Sequence, residues 1–135
     1  MTGTGVGASV KRKEDQRYLT GKGQYTDDIN MKAQSYAYFV RSPHAHATIK
    51  SINTKKAAAM PGVLGVFTGE HVKEDKIGGL ICGWAITSKD GSAMKAGPHP
   101  ILADGKVRYV GDHVAVVVAE TKEQAKAAAA LVDVK

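Results

Sequence analysis

The sequence of 135 residues contains little cysteine and no long apolar segment. Cys82 is the single cysteine, so no disulfide can form within the chain, and a reducing cytoplasm is the expected compartment. The longest apolar run, Val114 to Ala119, is much shorter than the roughly 20 residues that a transmembrane helix needs. The first fifteen residues lack the apolar core of a secretory signal. We therefore predict a cytoplasmic protein without a membrane span.

The motifs of several common catalytic sites are also missing from the sequence. It contains no Gly-x-Ser-x-Gly nucleophile elbow and no phosphate loop ending in Gly-Lys-Ser/Thr. Gly3, Gly5 and Gly7 do not have the Gly-x-Gly-x-x-Gly spacing of a dinucleotide site. Cys82 has no second cysteine three residues away, which favours a buried, inert thiol over a nucleophile. We predict no catalytic and no cofactor-binding residue in this chain.

His44 and His46 are the strongest candidate metal ligands. Two histidines two residues apart share one face of a strand, a spacing found in metal sites. The third ligand would come from one of four residues, and the spacing selects none of them: His71, His99, His113 or Cys82. Histidines beside a proline more often form local hydrogen bonds, so we predict no metal site.

Ala93–Ala96 reads Ala-Met-Lys-Ala and is similar to the Ala-Met-Lys-Met turn that displays the modified lysine of biotin carriers. The second methionine is missing and the flanking residues differ, so this motif is weak evidence for a carrier.

The net charge is +6, because 19 basic residues outnumber 13 acidic ones. The basic residues are interleaved with acidic ones and lack an aromatic stacking platform, which favours a solvated surface over a nucleic-acid site. A free-standing interaction module with a basic surface is the alternative function that the composition allows.

Hydrophobic patterning predicts three well-marked strands and two helices. The strands cover residues 34–41, 63–67 and 113–119, and the last of these is expected to be central because both its faces are apolar. The helices cover residues 55–60, with Asn53 or Thr54 as the cap, and 122–130, with a capping box formed by Thr121 and Gln124. Pro61 ends the first helix, and Gly62 is the candidate for a positive φ angle in the turn.

Weaker patterns fill the remaining segments. A strand over 45–52, the helix at 55–60 and the strand at 63–67 together form a βαβ-like unit, and the strand at 34–41 is expected to pair near the strand after Pro43. Short strands are predicted at 106–110 and 131–134, and one helical turn at 69–72. Residues 73–97 form a long connecting excursion in which only Leu80–Ile86 could be a strand.

The predicted fold is therefore α/β (α+β), with a mixed sheet and two short helices. Residues 1–10 are a glycine-rich flexible arm, and residues 11–135 are one domain that begins with a structured loop, with a candidate short strand near Tyr25. Arg17, Asp27 and Asp28 are expected to fix this loop by local pairing. The last residues lie inside an apolar strand, which indicates a fragment of a longer subunit.

Several ordered motifs resemble the large subunits of molybdenum hydroxylases. The first is residues 12–29, with Arg17–Gly21 and Gly23–Ile29 as its clearest parts. The second is Arg41–Ala47, followed by Met60–Val63 and Val66–Gly69. Pro100, Leu102–Ala103, Lys106–Asp112 and Val114–Thr121 complete the resemblance, which spans residues 7–135 except for the excursion at 73–97.

This resemblance implies the N-terminal α/β-hammerhead domain of the family that includes xanthine dehydrogenase, aldehyde oxidase and aerobic carbon monoxide dehydrogenase large chains. The full-length subunit would hold a molybdopterin-type molybdenum cofactor and pass electrons to iron–sulfur and flavin subunits. The cofactor loops and the catalytic glutamate of the family lie beyond this chain, so none of its residues inherits those roles. A multi-subunit enzyme of the carbon monoxide dehydrogenase type is the expected parent, and an aldehyde or xanthine dehydrogenase is the alternative.

Overall fold

A computed structural model of the chain describes residues 5–135. These residues divide into two compact units, one ending at Lys32 and one running from Ala33 to Lys135. The described strands are β1 (Tyr36–Arg41), β2 (Ala47–Thr48), β3 (Ile52–Asn53), β4 (Val63–Thr68), β5 (Lys106–Val107), β6 (His113–Ala119) and β7 (Asp133–Val134). The α-helices are α1 (Asp15–Leu19), α2 (Lys55–Ala58), α3 (Gly69–Glu74) and α4 (Lys122–Ala129).

The first unit contains α1 and a 3₁₀ turn at Thr26–Asp28. The predicted loop with a short strand near Tyr25 is therefore wrong in this region. α1 ends at Leu19, before the glycines of this segment begin, so they do not interrupt it. Gly21 follows with a φ angle of 70°, a conformation that is common just after a helix. The Asp28 carboxylate accepts the backbone N–H of Tyr25 at 2.9 Å. That carboxylate is therefore a hydrogen-bond acceptor for the backbone, as carboxylates in turns commonly are.

The predicted flexible arm lies partly outside the described residues, which begin at Gly5. Residues 5–10 are in neither helix nor strand. The predicted boundary at residue 10 falls inside the first unit, and the division between the two units lies between Lys32 and Ala33.

A three-stranded antiparallel sheet forms the centre of the second unit, in the order β1-β6-β4. The prediction that β6 is central is confirmed. β1 pairs with β6 and not with the strand after Pro43, so the predicted partner of β1 was wrong. The nearly continuous apolar run of β4 is typical of a strand covered on both faces, but Leu64 is 61% exposed and Phe67 is 44% exposed.

A bulge allows β6 to contribute to two hydrophobic cores. Val40 of β1 pairs with Ala115, while Arg41 pairs with His113, so Val114 is the extra residue. Val114 packs with Ala103 and Val107 in one core, to which Ala47, Ile49 and Ile52 also contribute. Val117 belongs to the other core, between the sheet and the helices, with Ala57, Ala128 and Ala129.

α4 begins with the predicted capping box. The Thr121 hydroxyl accepts the N–H of Gln124 at 3.2 Å, and the Gln124 side-chain oxygen accepts the N–H of Thr121 at 3.0 Å. Two backbone donors that the helix itself cannot pair are satisfied in this way. In α2 the capping contact comes from Asn53, whose side-chain oxygen accepts the N–H of Lys55 at 3.1 Å, while Thr54 makes no side-chain capping bond.

The predicted strand over 45–52 is divided in two. β2 pairs with β5, and β3 pairs with β7 in a different ladder. The division lies at Lys50 and Ser51, whose N–H groups both donate to the backbone oxygen of Lys135, at 2.6 and 3.3 Å. Two residues opposite one define a β-bulge. Because β3 and β4 belong to different sheets, α2 does not connect two strands of one βαβ unit.

The α/β fold class is confirmed, with two details changed. All strand pairs within residues 5–135 are antiparallel, so the sheet is not mixed. These residues form four α-helices: the two that were predicted, α3 where one helical turn was predicted, and α1, which was not predicted. The excursion holds an isolated bridge between Thr87 and Ala93, but the possible strand at Leu80–Ile86 is not formed. Among the helices described, none combines the length and hydropathy of a membrane span.

Candidate interaction surface

His44 and His46 do not lie on a strand. Both are exposed, in the bend that joins β1 to β2. The Ser42 hydroxyl accepts the N–H of His44 and donates to its carbonyl, both at 3.0 Å, and these bonds close the bend. Across residues 5–135, no three His, Cys, Asp or Glu side chains come together in a cluster suited to a metal ion. Within these residues, no third ligand therefore lies beside His44 and His46 to complete a metal site.

The other candidate ligands are dispersed. His71 lies in α3, where its Nδ1 atom accepts the N–H of Thr68 at 3.1 Å. His113 stacks on the ring of Phe39 with centroids 4.6 Å apart, and its buried Nε2 atom has no hydrogen-bond partner within the described part of the chain. His99 is exposed. Cys82 is exposed rather than buried, and its thiol donates to the Trp84 carbonyl at 3.5 Å.

The lysine of the carrier-like motif lies beyond its nearest turn. The bridge between Thr87 and Ala93 places Asp90 and the following glycine at the tip, while Lys95 follows the bridge. The Ser92 hydroxyl donates to the Asp90 carboxylate at 2.7 Å, and this bond lowers the pKa of that carboxyl. The carboxylate stabilises the turn, and Lys95 is not displayed at its tip.

The face of the three-stranded sheet that is turned away from α2 and α4 is apolar, and His71 of α3 contacts it at the ring of Phe67. Its residues form two cross-strand rows. In the first row Phe39 and Phe67 both lie opposite Val116, and in the second the neighbouring strands place Ala37 and Gly65 opposite Val118. We call these six residues the open sheet face: Ala37, Phe39, Gly65, Phe67, Val116 and Val118.

The open sheet face is exposed at its two aromatic residues. Phe39 is 38% exposed and Phe67 is 44% exposed, while Val116 and Val118 of the central strand are half-buried. On the opposite face the central strand is closed, since Ala115, Val117 and Ala119 are fully buried, while Tyr38 on the edge strand β1 is 39% exposed. This contrast comes from the side-chain period of two in a strand, which sends alternate residues to opposite faces.

The two phenylalanines are held in place by their neighbours. A Cβ atom on Gly65 would lie 2.9 Å from the Phe67 ring, so that ring lies over the glycine along the same strand. Phe39 is held by its stacking on His113. The face is therefore a continuous apolar surface, and each of its two largest side chains packs against a neighbour.

An uncovered apolar sheet face is typical of a surface that is buried by other protein.

Sequence reasoning missed this surface, although one signal was present. Alternation in β1 already places Ala37 and Phe39 on the same side. Gly65 and Phe67 have the same spacing in β4. What the sequence did not reveal is that both strands pair with β6, which brings the two aromatic residues to either side of Val116.

Comparison with known proteins identifies the family. Residues 20–135 match the family model described as aldehyde oxidase and xanthine dehydrogenase, a/b hammerhead domain. The nicotine 6-hydroxylase large subunit of Paenarthrobacter nicotinovorans is 42% identical over 127 residues, which are 94% of this chain and 15% of that subunit. The carbon monoxide dehydrogenase large chain of Afipia carboxidovorans is 38% identical over 130 residues, which are 96% of this chain and 15% of the relative.

The solved structures agree with the family model. Quinoline 2-oxidoreductase from Pseudomonas putida 86 superposes with a TM-score of 0.81 at 39% identity, and the match covers 96% of this chain and 16% of that one. The chain thus spans about one sixth of the length of the relatives and structures it matches. It belongs to the aldehyde oxidase and xanthine dehydrogenase family of molybdenum hydroxylases, of which it forms the α/β-hammerhead domain.

Proposed function

We propose that the chain is a structural domain of a longer molybdenum hydroxylase large subunit, and that the rest of that subunit covers the open sheet face. The observation that carries the proposal is an apolar, uncovered sheet face in a chain that spans about 15% of its relatives' length. Burial of such a face stabilises the contact between domains by about 25 cal/mol for each Å² of apolar surface removed from water.

The parent subunit, on this proposal, holds a molybdopterin-type molybdenum cofactor and oxidises or hydroxylates a small substrate. The described residues of this chain do not fit the role of metal ligands, because their His, Cys, Asp and Glu side chains do not come together in threes. We therefore assign no reaction step to this domain. Its contribution is to cover and position neighbouring domains.

Carbon monoxide dehydrogenase is the parent type that we propose first. The similarity to a carbon monoxide dehydrogenase large chain along nearly the whole length of this domain supports it. A hydroxylase for a nicotine-like or quinoline-like substrate is the second candidate, favoured by the higher identity to a nicotine 6-hydroxylase large subunit. Iron–sulfur and flavin subunits in the cytoplasm are the proposed partners, since both relatives are themselves the large subunit or large chain of an enzyme.

Two measurements test the parent type. The gene is first sequenced past the codon for Lys135, where an open frame of several hundred residues is expected. The complete complex is then purified and assayed for reduction of an artificial electron acceptor with carbon monoxide, and in parallel with nicotine or quinoline. A stop codon after Lys135 would contradict the subunit proposal and favour a free-standing interaction module with a basic surface.

A substitution on the open sheet face tests the structural role. In the full-length subunit, Phe67→Asp buries an unpaired carboxylate and is expected to reduce the yield of folded, molybdenum-containing subunit about tenfold or more. In the 135-residue chain the same change leaves the carboxylate in water, and we expect it to cost less than about 2 kcal/mol of folding stability. The readouts are metal content for the subunit and urea unfolding for the chain.

Leu64→Asp is the matched control. Leu64 lies on the same strand and is 61% exposed, but the bulge between Val63 and Gly65 leaves it outside the two cross-strand rows. Equal losses from Phe67→Asp and Leu64→Asp in the full-length subunit would contradict the proposed role of this face.

A further inference from the structure

The ladder between β3 and β7 reaches the last residue of the chain. Ile52 pairs with Val134, and the Lys135 N–H donates to the Ser51 carbonyl at 2.9 Å. The bulge at Lys50 and Ser51 follows directly in the ladder, and the N–H groups of both residues donate to the backbone oxygen of Lys135. The C-terminal end of β7 therefore points toward β2, alongside Ser51 and Lys50.

The bulge also decides which way the backbone of β2 faces. The Ile49 N–H donates to the Gly105 carbonyl at 2.9 Å, so the backbone groups of Ile49 face β5. In an antiparallel strand the backbone groups of successive residues point to opposite edges. The N–H and C=O of Thr48 consequently point away from β5, to the edge that is in line with β7. Thr48 itself is exposed.

A groove of 210 Å³ lies beside this edge. Its lining includes both β2 and the end of β7, and it is mainly apolar. The residues that form its apolar walls are Val40, Ala47, Ile49, Val107, Val114 and Val134. Lys135, which follows β7, also lines the groove.

We propose that the residues which follow Lys135 in the parent subunit extend β7 along the free edge of β2, pair with Thr48 and fill this groove. The inference rests on the proposed function, since it requires a subunit that continues past Lys135. Continuity argues for this occupant: the incoming strand is already hydrogen-bonded to Ser51 in the correct antiparallel direction. The result is a three-stranded sheet in which β2 lies between β5 and the extension.

The side-chain pattern of the extension follows from the register. Val134 lies opposite Ile52, which packs into the core with Val107 and Val114. One residue of the bulge is extra, so the first residue after Lys135 lies opposite Ile49, and the third lies opposite Ala47. Ile49 and Ala47 pack into the same core. We therefore expect apolar side chains at the first and third positions after Lys135, and a polar one at the second.

Appending four residues to the 135-residue chain tests this register. With Val-Thr-Val-Thr after Lys135, we expect amide hydrogen exchange at Thr48 to slow about tenfold and the Tm to rise by about 4 °C. The matched control is Thr-Val-Thr-Val, which has the same composition but turns its valines to solvent; it should change neither value. Thr48→Pro removes the N–H that the extension needs, so Val-Thr-Val-Thr should no longer raise the Tm of this variant.

Each alternative outcome of this experiment contradicts the inference. Equal effects of the two extensions would mean that register plays no part, and no effect of either would mean that the edge does not accept the segment. Protection of Thr48 that rises with the concentration of the unextended chain would show that a second copy occupies the edge. A stop codon after Lys135 would instead contradict the proposed function, and the measurement on Thr48 would still report whether the edge accepts a strand.

Discussion

At the scale of single residues, Gly62 shows how a backbone angle and a side-chain contact act together. Its φ angle is 77°, as its place after Pro61 suggested, and its carbonyl accepts the Glu120 N–H at 2.9 Å. A Cβ atom at this position would overlap the side-chain amide of Gln124. That amide belongs to the capping box of α4, so a side chain at position 62 would disturb a second element.

We predict that Gly62→Ala lowers the free energy of unfolding by about 2 kcal/mol, with about 1 kcal/mol from the positive φ angle and the remainder from displacement of Gln124. Gly105→Ala is the matched control, because Gly105 has a φ angle of 66° and open space where its Cβ would lie. It should cost only about 1 kcal/mol. Urea unfolding measures both, and equal costs would show that the Gln124 contact carries no weight.

The histidines show what residue types alone do not reveal. A spacing of two residues suggested one face of a strand for His44 and His46, but Ser42 closes a bend there through its hydroxyl. A hydroxyl two residues before a histidine competes with the strand for the local backbone groups. The open sheet face was missed for the opposite reason, since Phe39 and Phe67 are 28 positions apart and only sheet pairing joins them.

At the scale of elements, α4 depends on its first turn. Thr121→Ala removes the hydroxyl that accepts the Gln124 N–H, and we expect it to cost about 1 kcal/mol of unfolding free energy. Thr54→Ala is the control, because Thr54 is the N-terminal cap of α2 but makes no side-chain capping bond. We expect a change below about 0.5 kcal/mol there. Thermal unfolding compares the two, and a larger loss at Thr54 would contradict the assignment.

Elements with local signals were predictable from sequence, and their partners were not. β6 and α4 were placed almost residue for residue, because a continuous apolar run and a capping box are encoded within a few positions. The pairing of β1 with β6 joins segments more than seventy positions apart, and no turn between them indicates it. The strand over 45–52 is divided by a bulge whose partner is Lys135, so the interruption depends on a distant residue.

At the scale of the whole molecule, the second unit contains all that a folded core requires. Both hydrophobic cores and every strand described lie between Ala33 and Lys135. We predict that a chain starting at Ala33 keeps a cooperative thermal transition and the amide protection of β6. Circular dichroism and hydrogen exchange measure this outcome. A chain of residues 1–32, prepared in parallel, should show no cooperative transition, and a non-cooperative 33–135 chain would contradict the prediction.

The bulge at Lys50 and Ser51 also sets which kinds of sequence change this segment can accept. Its extra residue allows both Ile49 and Ile52 to face inward although they are three positions apart. A substitution at Lys50 leaves the number of residues in the bulge unchanged, and the Lys50 side chain is in solvent, so both isoleucines still face inward. Deletion of one residue here would turn either Ile49 or Ile52 out of the core. The segment therefore tolerates changes of residue identity at its surface, but its length is fixed.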